Sequence, residues 1–189
     1  MIVDLSHDIA PGALTYARPT SAGRAGTYLE APYHVHAGRA DLAQLPLERL
    51  VNVPIVMIRS RQMTAVTPAV LDDPDRLWGK AVLIHTGWAR HWRTDRYVGP
   101  GSPYLTAAGA STLIDANVAL VGIDARFDDP ADPHQSARRD LLGADIPVVE
   151  HLTNLEAVPD EGARLTVLPA PVRAMATFPV RAVATYEPE

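Results

Sequence analysis

The chain has 189 residues, 47% of them hydrophobic, and no cysteine. That is enough apolar content to bury a core as one domain over residues 1–189, and it excludes disulfides, thiolate metal sites and a cysteine nucleophile. Seventeen basic against 22 acidic residues leave a net charge of −5 with no basic run interleaved with aromatics, which argues against a nucleic-acid partner.

The N-terminal Met1-Ile2-Val3-Asp4 is neither a charged leader nor part of an apolar segment, and no apolar run approaches membrane-spanning length. A cytoplasmic protein with no membrane partner is expected. Short β-branched or aliphatic runs bounded by turn residues predict strands at Val53 to Arg59, Ala81 to Thr86, Val118 to Ile123 and Ile146 to Val149. Two later strands are predicted at Arg164 to Leu168 and Val180 to Thr185. Helices are predicted from Thr106 to Asn117, with Thr106 as N-cap, and from Ser136 to Leu142, with Ser136 as cap. Arg90 to Pro103 and Arg126 to Gln135 read as long loops, either binding loops and lids or solvated crossovers. The alternation gives an α/β domain with mixed strand directions.

The stretch with most chemical content is Gly26-Thr27-Tyr28-Leu29-Glu30-Ala31-Pro32-Tyr33-His34. With Arg24 as its first position it resembles the motif His-x-Gly-Thr-His-x-Asp-x-Pro-x-His of the putative cyclase family, which includes bacterial kynurenine formamidase. Gly26-Thr27, Pro32 and His34 match, whereas the three ligand positions hold Arg24, Tyr28 and Glu30. Further family-like segments follow in order: Asp4-Leu5-Ser6-His7, Leu45 to Leu50, His85-Thr86-Gly87-Trp88, Val121 to Asp124, and Leu141-Leu142-Gly143 through Glu150 to Leu155. Counting back from Glu150, which matches a family metal ligand, puts a second family histidine at Arg138. The family's Asp-Thr-Pro-Ser stretch is replaced after Asp124 by Ala125-Arg126-Phe127. The resemblance implies a swivelling β/β/α domain, with a mixed central sheet flanked by helices, assembled as a homodimer or higher homo-oligomer. It also implies metal-assisted hydrolysis of a formamide, amide or lactone-like bond.

Arg supplies no lone pair and stays protonated, so Arg24 and Arg138 are unfit as metal ligands. Guanidinium groups there are instead expected to balance the carboxylates of Glu30 and Glu150, forming an ionic cluster where the family holds a dication. No cofactor is expected; no dinucleotide, nucleotide or serine-hydrolase motif is present. His34 stands at the position that the resemblance assigns to acid/base work, and an imidazole suits it. Strand alternation is expected to bring Tyr28, Glu30 and His34 to one side, with His36 following in the same parity; Pro32 shares that parity and is a point where regular pairing can end. Glu30 then assists His34. Tyr28 either donates to a substrate carbonyl or fills the space left by a histidine and a metal. Arg24, Arg138, His36 and Glu150 complete the expected substrate-binding set. His7, His85, His91, His134 and His151 show no constellation, and Asp124, at the carboxyl end of a predicted strand where α/β proteins tend to place sites, is read as capping the following loop.

The expected activity is general acid/base catalysis without metal: ring closure, dehydration, or lactone or amide opening of a carbonyl-bearing small molecule, in specialised metabolism. The alternatives are a metal-dependent arylformamidase-like hydrolase with reassigned ligands, and a non-catalytic ligand-binding or regulatory homologue.

Overall fold

The computed structural model describes residues 1–9, 25–71 and 73–187. Its strands are β1 (Ile2–Asp4), β2 (Tyr28–Glu30), β3 (Val53–Arg59), β4 (Ala65–Val66), β5 (Ala81–His85) and β6 (Tyr104–Leu105), then β7 (Leu120–Ile123), β8 (Val148–Glu150), β9 (Arg164–Leu168), β10 (Thr177–Pro179) and β11 (Arg181–Thr185). The helices are α1 (Pro74–Leu77), α2 (Asp95–Val98), α3 (Ala107–Asp115) and α4 (Ser136–Gly143). Nine strands form one sheet in the order β1-β11-β9-β3-β5-β7-β8-β2-β10, and β4 pairs with β6.

The centre of the sheet, β3-β5-β7-β8, is parallel, and both flanks are antiparallel. Parallel neighbours need a crossover. One crossover carries α3 between β5 and β7, the other α4 between β7 and β8. Thr106 caps α3 as expected, its hydroxyl accepting from Gly109 N at 3.0 Å. Ser136 does not cap α4: the cap position is Gln135, in a left-handed conformation with no side-chain cap bond. The loop expected over Arg90 to Pro103 contains α2.

The central strands are hydrophobic throughout because both faces are covered. Val56, Ile58, Val82, Ile84, Val121 and Val148 pack with Leu113 of α3 and Leu141 of α4. Their neighbours in alternation, Ile55, Met57, Leu83 and Val149, pack on the other face with Leu5, Leu29, Leu165 and Val167. At the centre, Gly122 of β7 leaves no room for a side chain: a Cβ would lie 2.7 Å from Leu152 Cδ1 and 2.8 Å from Leu83 Cδ2. Gly122→Ala is therefore expected to destabilise by about 1–3 kcal/mol through overpacking, read as a lower denaturant midpoint at unchanged slope.

Leu29 and Val149 share one face, so Tyr28, Glu30, Val148 and Glu150 must lie on the helix-bearing face. The register agrees: Tyr28 lies opposite Glu150, and Glu30 opposite Val148. This alternation delivers two carboxylates and a phenol beneath α4.

Candidate functional site

Arg138 reaches down from α4 into this group. Its Nη1 lies 2.8 Å from Glu30 Oε2, its Nε donates to Asp128 Oδ2 at 2.7 Å, and its Nη2 donates to Glu150 Oε1. All four side chains are buried, Glu30 to 0% exposure and Arg138 to 4%. The expected ionic cluster is thus formed by three of its four members. Arg24, the fourth, lies outside the described residues.

Asp128 is a member that the sequence did not reveal. Its Oδ1 accepts the backbone N–H of Arg138 at 3.2 Å, satisfying one of the open donors in the first turn of α4. Its Oδ2 holds the guanidinium of the same residue. Arg138 consequently faces three carboxylates: Nε and Nη2 donate to Asp128 and Glu150, and Nη1 stands close to Glu30. A role in holding a substrate anion, expected for Arg138, is not what this geometry offers. Arg126 and Arg93 stand at the wall of the neighbouring cavity, Arg93 with its Nη2 paired to Asp8 Oδ2 at 3.1 Å.

Tyr28 Oη donates to Glu150 Oε2, and Phe127 N donates to Glu150 Oε1 at 2.9 Å. Burial and the Glu150 charge push the phenol well above its ordinary pKa, so Tyr28 stays protonated. Burial also raises Glu150, but the Arg138 charge, His151 and the two hydrogen bonds outweigh it and hold the carboxyl below its ordinary value. Tyr28 and Glu150 both line a cavity of about 350 Å³ with Trp92, Tyr97, Arg126, Arg138 and His151.

The expectation that Tyr28, Glu30 and His34 share one extended strand holds only for the first two. The strand ends at Glu30, and Pro32–His34 form a 3₁₀ turn. Proline's fixed φ suits the first position of such a turn and takes His34 out of the alternation. His34 is exposed and is not among the described residues lining the cavity; His36 is exposed as well, its Nδ1 accepting from Gly38 N at 3.1 Å. Glu30 is engaged by Arg138.

His151 occupies the cavity wall. Its Nδ1 lies 3.1 Å from Gly26 O, and its Nε2 lies 3.7 Å from Glu150 Oε2. Because a carbonyl only accepts, Nδ1 carries the proton and the Nε2 lone pair is available. The ring meets Tyr28, Trp92 and Tyr97 at 5.1, 5.0 and 5.4 Å between centroids. Burial, with Arg138 and Arg126 acting in the same direction, outweighs Glu150 and the Gly26 carbonyl and lowers its pKa below that of an ordinary histidine. His7, stacked on Trp92 at 4.3 Å, is lowered to about 4 by burial and by His151.

Asp124 turns its carboxylate to the turn after β5 rather than to the loop that follows it. It ties the end of β7 to the turn after β5, its Oδ1 accepting from Thr86 N and Oγ1 at 2.8 and 2.6 Å and its Oδ2 from Gly87 N at 2.7 Å.

The donor set at the cluster does not fit a divalent ion. The three carboxylates that would ligate one converge on a guanidinium that has no lone pair and cannot deprotonate, and a dication at the same point would meet its positive charge at close range.

Comparison with solved structures identifies the same fold in isatin hydrolase A from Labrenzia aggregata bound to benzyl benzoate, at 22% identity and TM-score 0.78, covering 97% of this chain and 93% of that one. An isatin hydrolase bound to the product analogue thioisatinate aligns at 17% identity and TM-score 0.80, covering 98% and 92%. A predicted metal-dependent hydrolase from Bacillus stearothermophilus aligns at 22% identity and TM-score 0.73, covering 97% of each chain. Comparison with curated proteins gave no match. No helix among the described residues is long and apolar enough to cross a membrane. The model of the Putative cyclase family matches residues 3–129, two thirds of the chain, and the mixed sheet with its helices is the fold of the hydrolase structures above, so the chain belongs to the Putative cyclase family.

Proposed function

We propose that this chain is a metal-independent enzyme in which His151 moves a proton to or from a carbonyl-bearing small molecule held in the cavity beside Tyr28 and Glu150. The observation that carries the reading is the state of His151: neutral, with Nδ1–H fixed on the Gly26 carbonyl and the Nε2 lone pair at the cavity wall. A base in this state needs no deprotonation before it acts. Glu150, 3.7 Å from Nε2, stabilises the imidazolium that forms when a proton is taken up.

The reaction class is ring closure, dehydration, or opening of a lactone or amide. The hydrolase names of the fold relatives favour opening. In that direction His151 takes a proton from the attacking water and returns it to the leaving atom, so no net proton is stored on the protein. Arg126, at the cavity wall, supplies positive charge for an anionic group of the substrate. Small carbonyl compounds are the substrate class, in keeping with a cavity of about 350 Å³.

Two measurements test the reading. Turnover of a lactone and amide panel is expected to survive dialysis against a strong chelator, with elemental analysis giving substoichiometric zinc and manganese. Loss of turnover on chelation, restored by one of these ions, would refute it.

A further inference from the structure

A second cavity, of about 360 Å³, opens at the carboxyl ends of β3, β5 and β7 and is lined by Arg61, His85, Gly87, Arg90, Asp124 and Glu156 among others. The carboxyl ends of parallel strands are where α/β sheets place ligands. His85, the last residue of β5, is only 2% exposed. Arg59 Nη1 lies 2.7 Å from its Nδ1, and because a guanidinium only donates, Nδ1 is the acceptor and Nε2 carries the proton. Burial, followed by the charges of Arg59 and Arg61, lowers the imidazole to about 4, so it is a neutral donor at physiological pH.

That donor has two carboxylates at equal range: Nε2 is 4.0 Å from Asp124 Oδ2 and 4.0 Å from Glu156 Oε2. The distance is too long for a hydrogen bond and suits one inserted atom that accepts from Nε2–H and donates to a carboxylate. An ammonium cannot accept and a carboxylate cannot donate; a hydroxyl does both. Arg61 and Arg90, both exposed at the wall, provide for an anion alongside it. Gly87 keeps the space open. At its φ of 73° a Cβ would lie 3.4 Å from Arg90 Nη1 and 4.0 Å from His85 Nε2, between the groups that would grip the ligand.

We propose that this cavity is a second binding site, for a small hydroxycarboxylate whose hydroxyl sits between His85, Asp124 and Glu156 and whose carboxylate pairs with Arg61 and Arg90. It is independent of the chemistry assigned to His151.

Isothermal titration with dl-malate and with succinate, which differ by the hydroxyl, tests the assignment. The wild type is expected to bind malate saturably and succinate about tenfold more weakly, the worth of one charge-assisted hydrogen bond. Glu156 and Arg61 are exposed, so variants there retain the fold. Glu156→Ala is expected to reduce the preference for malate, and Arg61→Ala to weaken both ligands alike. His151→Ala is expected to leave malate binding unchanged, which separates this site from the first cavity. Saturation by neither ligand, which would mean that water alone fills the gap, overturns the proposal. So does equal binding of the two by the wild type, or a preference that survives intact in Glu156→Ala.

Discussion

Replacing Arg138 by Met is expected to destabilise the protein by about 3–5 kcal/mol, the usual cost of removing one partner from a buried ion pair. For a chain of this size that is a fall in Tm of roughly 6–20 °C. The cost arises from what stays behind: Glu30, Glu150 and Asp128 remain buried and lose the Arg138 guanidinium that all three face. Replacing Glu30 and Glu150 by Gln in the same background removes the stranded charges and is expected to recover part of the loss. A variant as stable as the wild type would show that the cluster contributes nothing.

The pH dependence of that variant has a definite sign. In the wild type Glu150 is held below its unfolded value, so its contribution to stability is present above that value and is lost as the pH falls through the folded one. Asp128 acts in the opposite sense, because burial outweighs Arg138 and raises its carboxyl; its contribution is present in acid and is lost as the pH rises through the folded value. Without Arg138, burial dominates at both positions and both carboxyls stand high. Folding then takes up protons, so the variant is most stable in acid and falls progressively behind the wild type from the ordinary carboxylate pKa, near 4, toward neutrality. Thermal melts of the two proteins across that interval read the divergence directly.

His151→Ala is expected to lower kcat by about 10²–10⁴-fold, the range of a lost general base. His34→Ala, at an exposed position outside the lining of the cavity, is expected to stay within a few-fold of the wild type. The opposite ranking would return the chemistry to the position that the motif implies. The wild-type profile gives a second check. Burial lowers His151, so the acid limb of kcat/KM is expected below the ordinary histidine value of about 6.5, and activity persists into mildly acidic solution.

Much of the cluster was legible: alternation sets Tyr28 beside Glu30, and the resemblance to the family's motif points to Arg138 and Glu150; the structure brings all four together. All six expected strands differ from the observed ones by at most two residues at either end. The misplacement of His34 has one cause: Pro32 opens a 3₁₀ turn where alternation had been extrapolated. His151 escaped notice for the converse reason. A residue following Glu150 on a strand belongs on the opposite face, but its φ of 58° turns the backbone and brings the imidazole to the same cavity. Asp128 is invisible to any local pattern, since only the packing of α4 onto the sheet sets a loop carboxylate against that helix's third residue.

The charge at the meeting point of Glu30, Glu150 and Asp128 is bonded into the backbone of α4. It is delivered with every copy of the chain at translation, in a stoichiometry that neither dilution nor scarcity alters. It cannot dissociate, and no competing element can displace it.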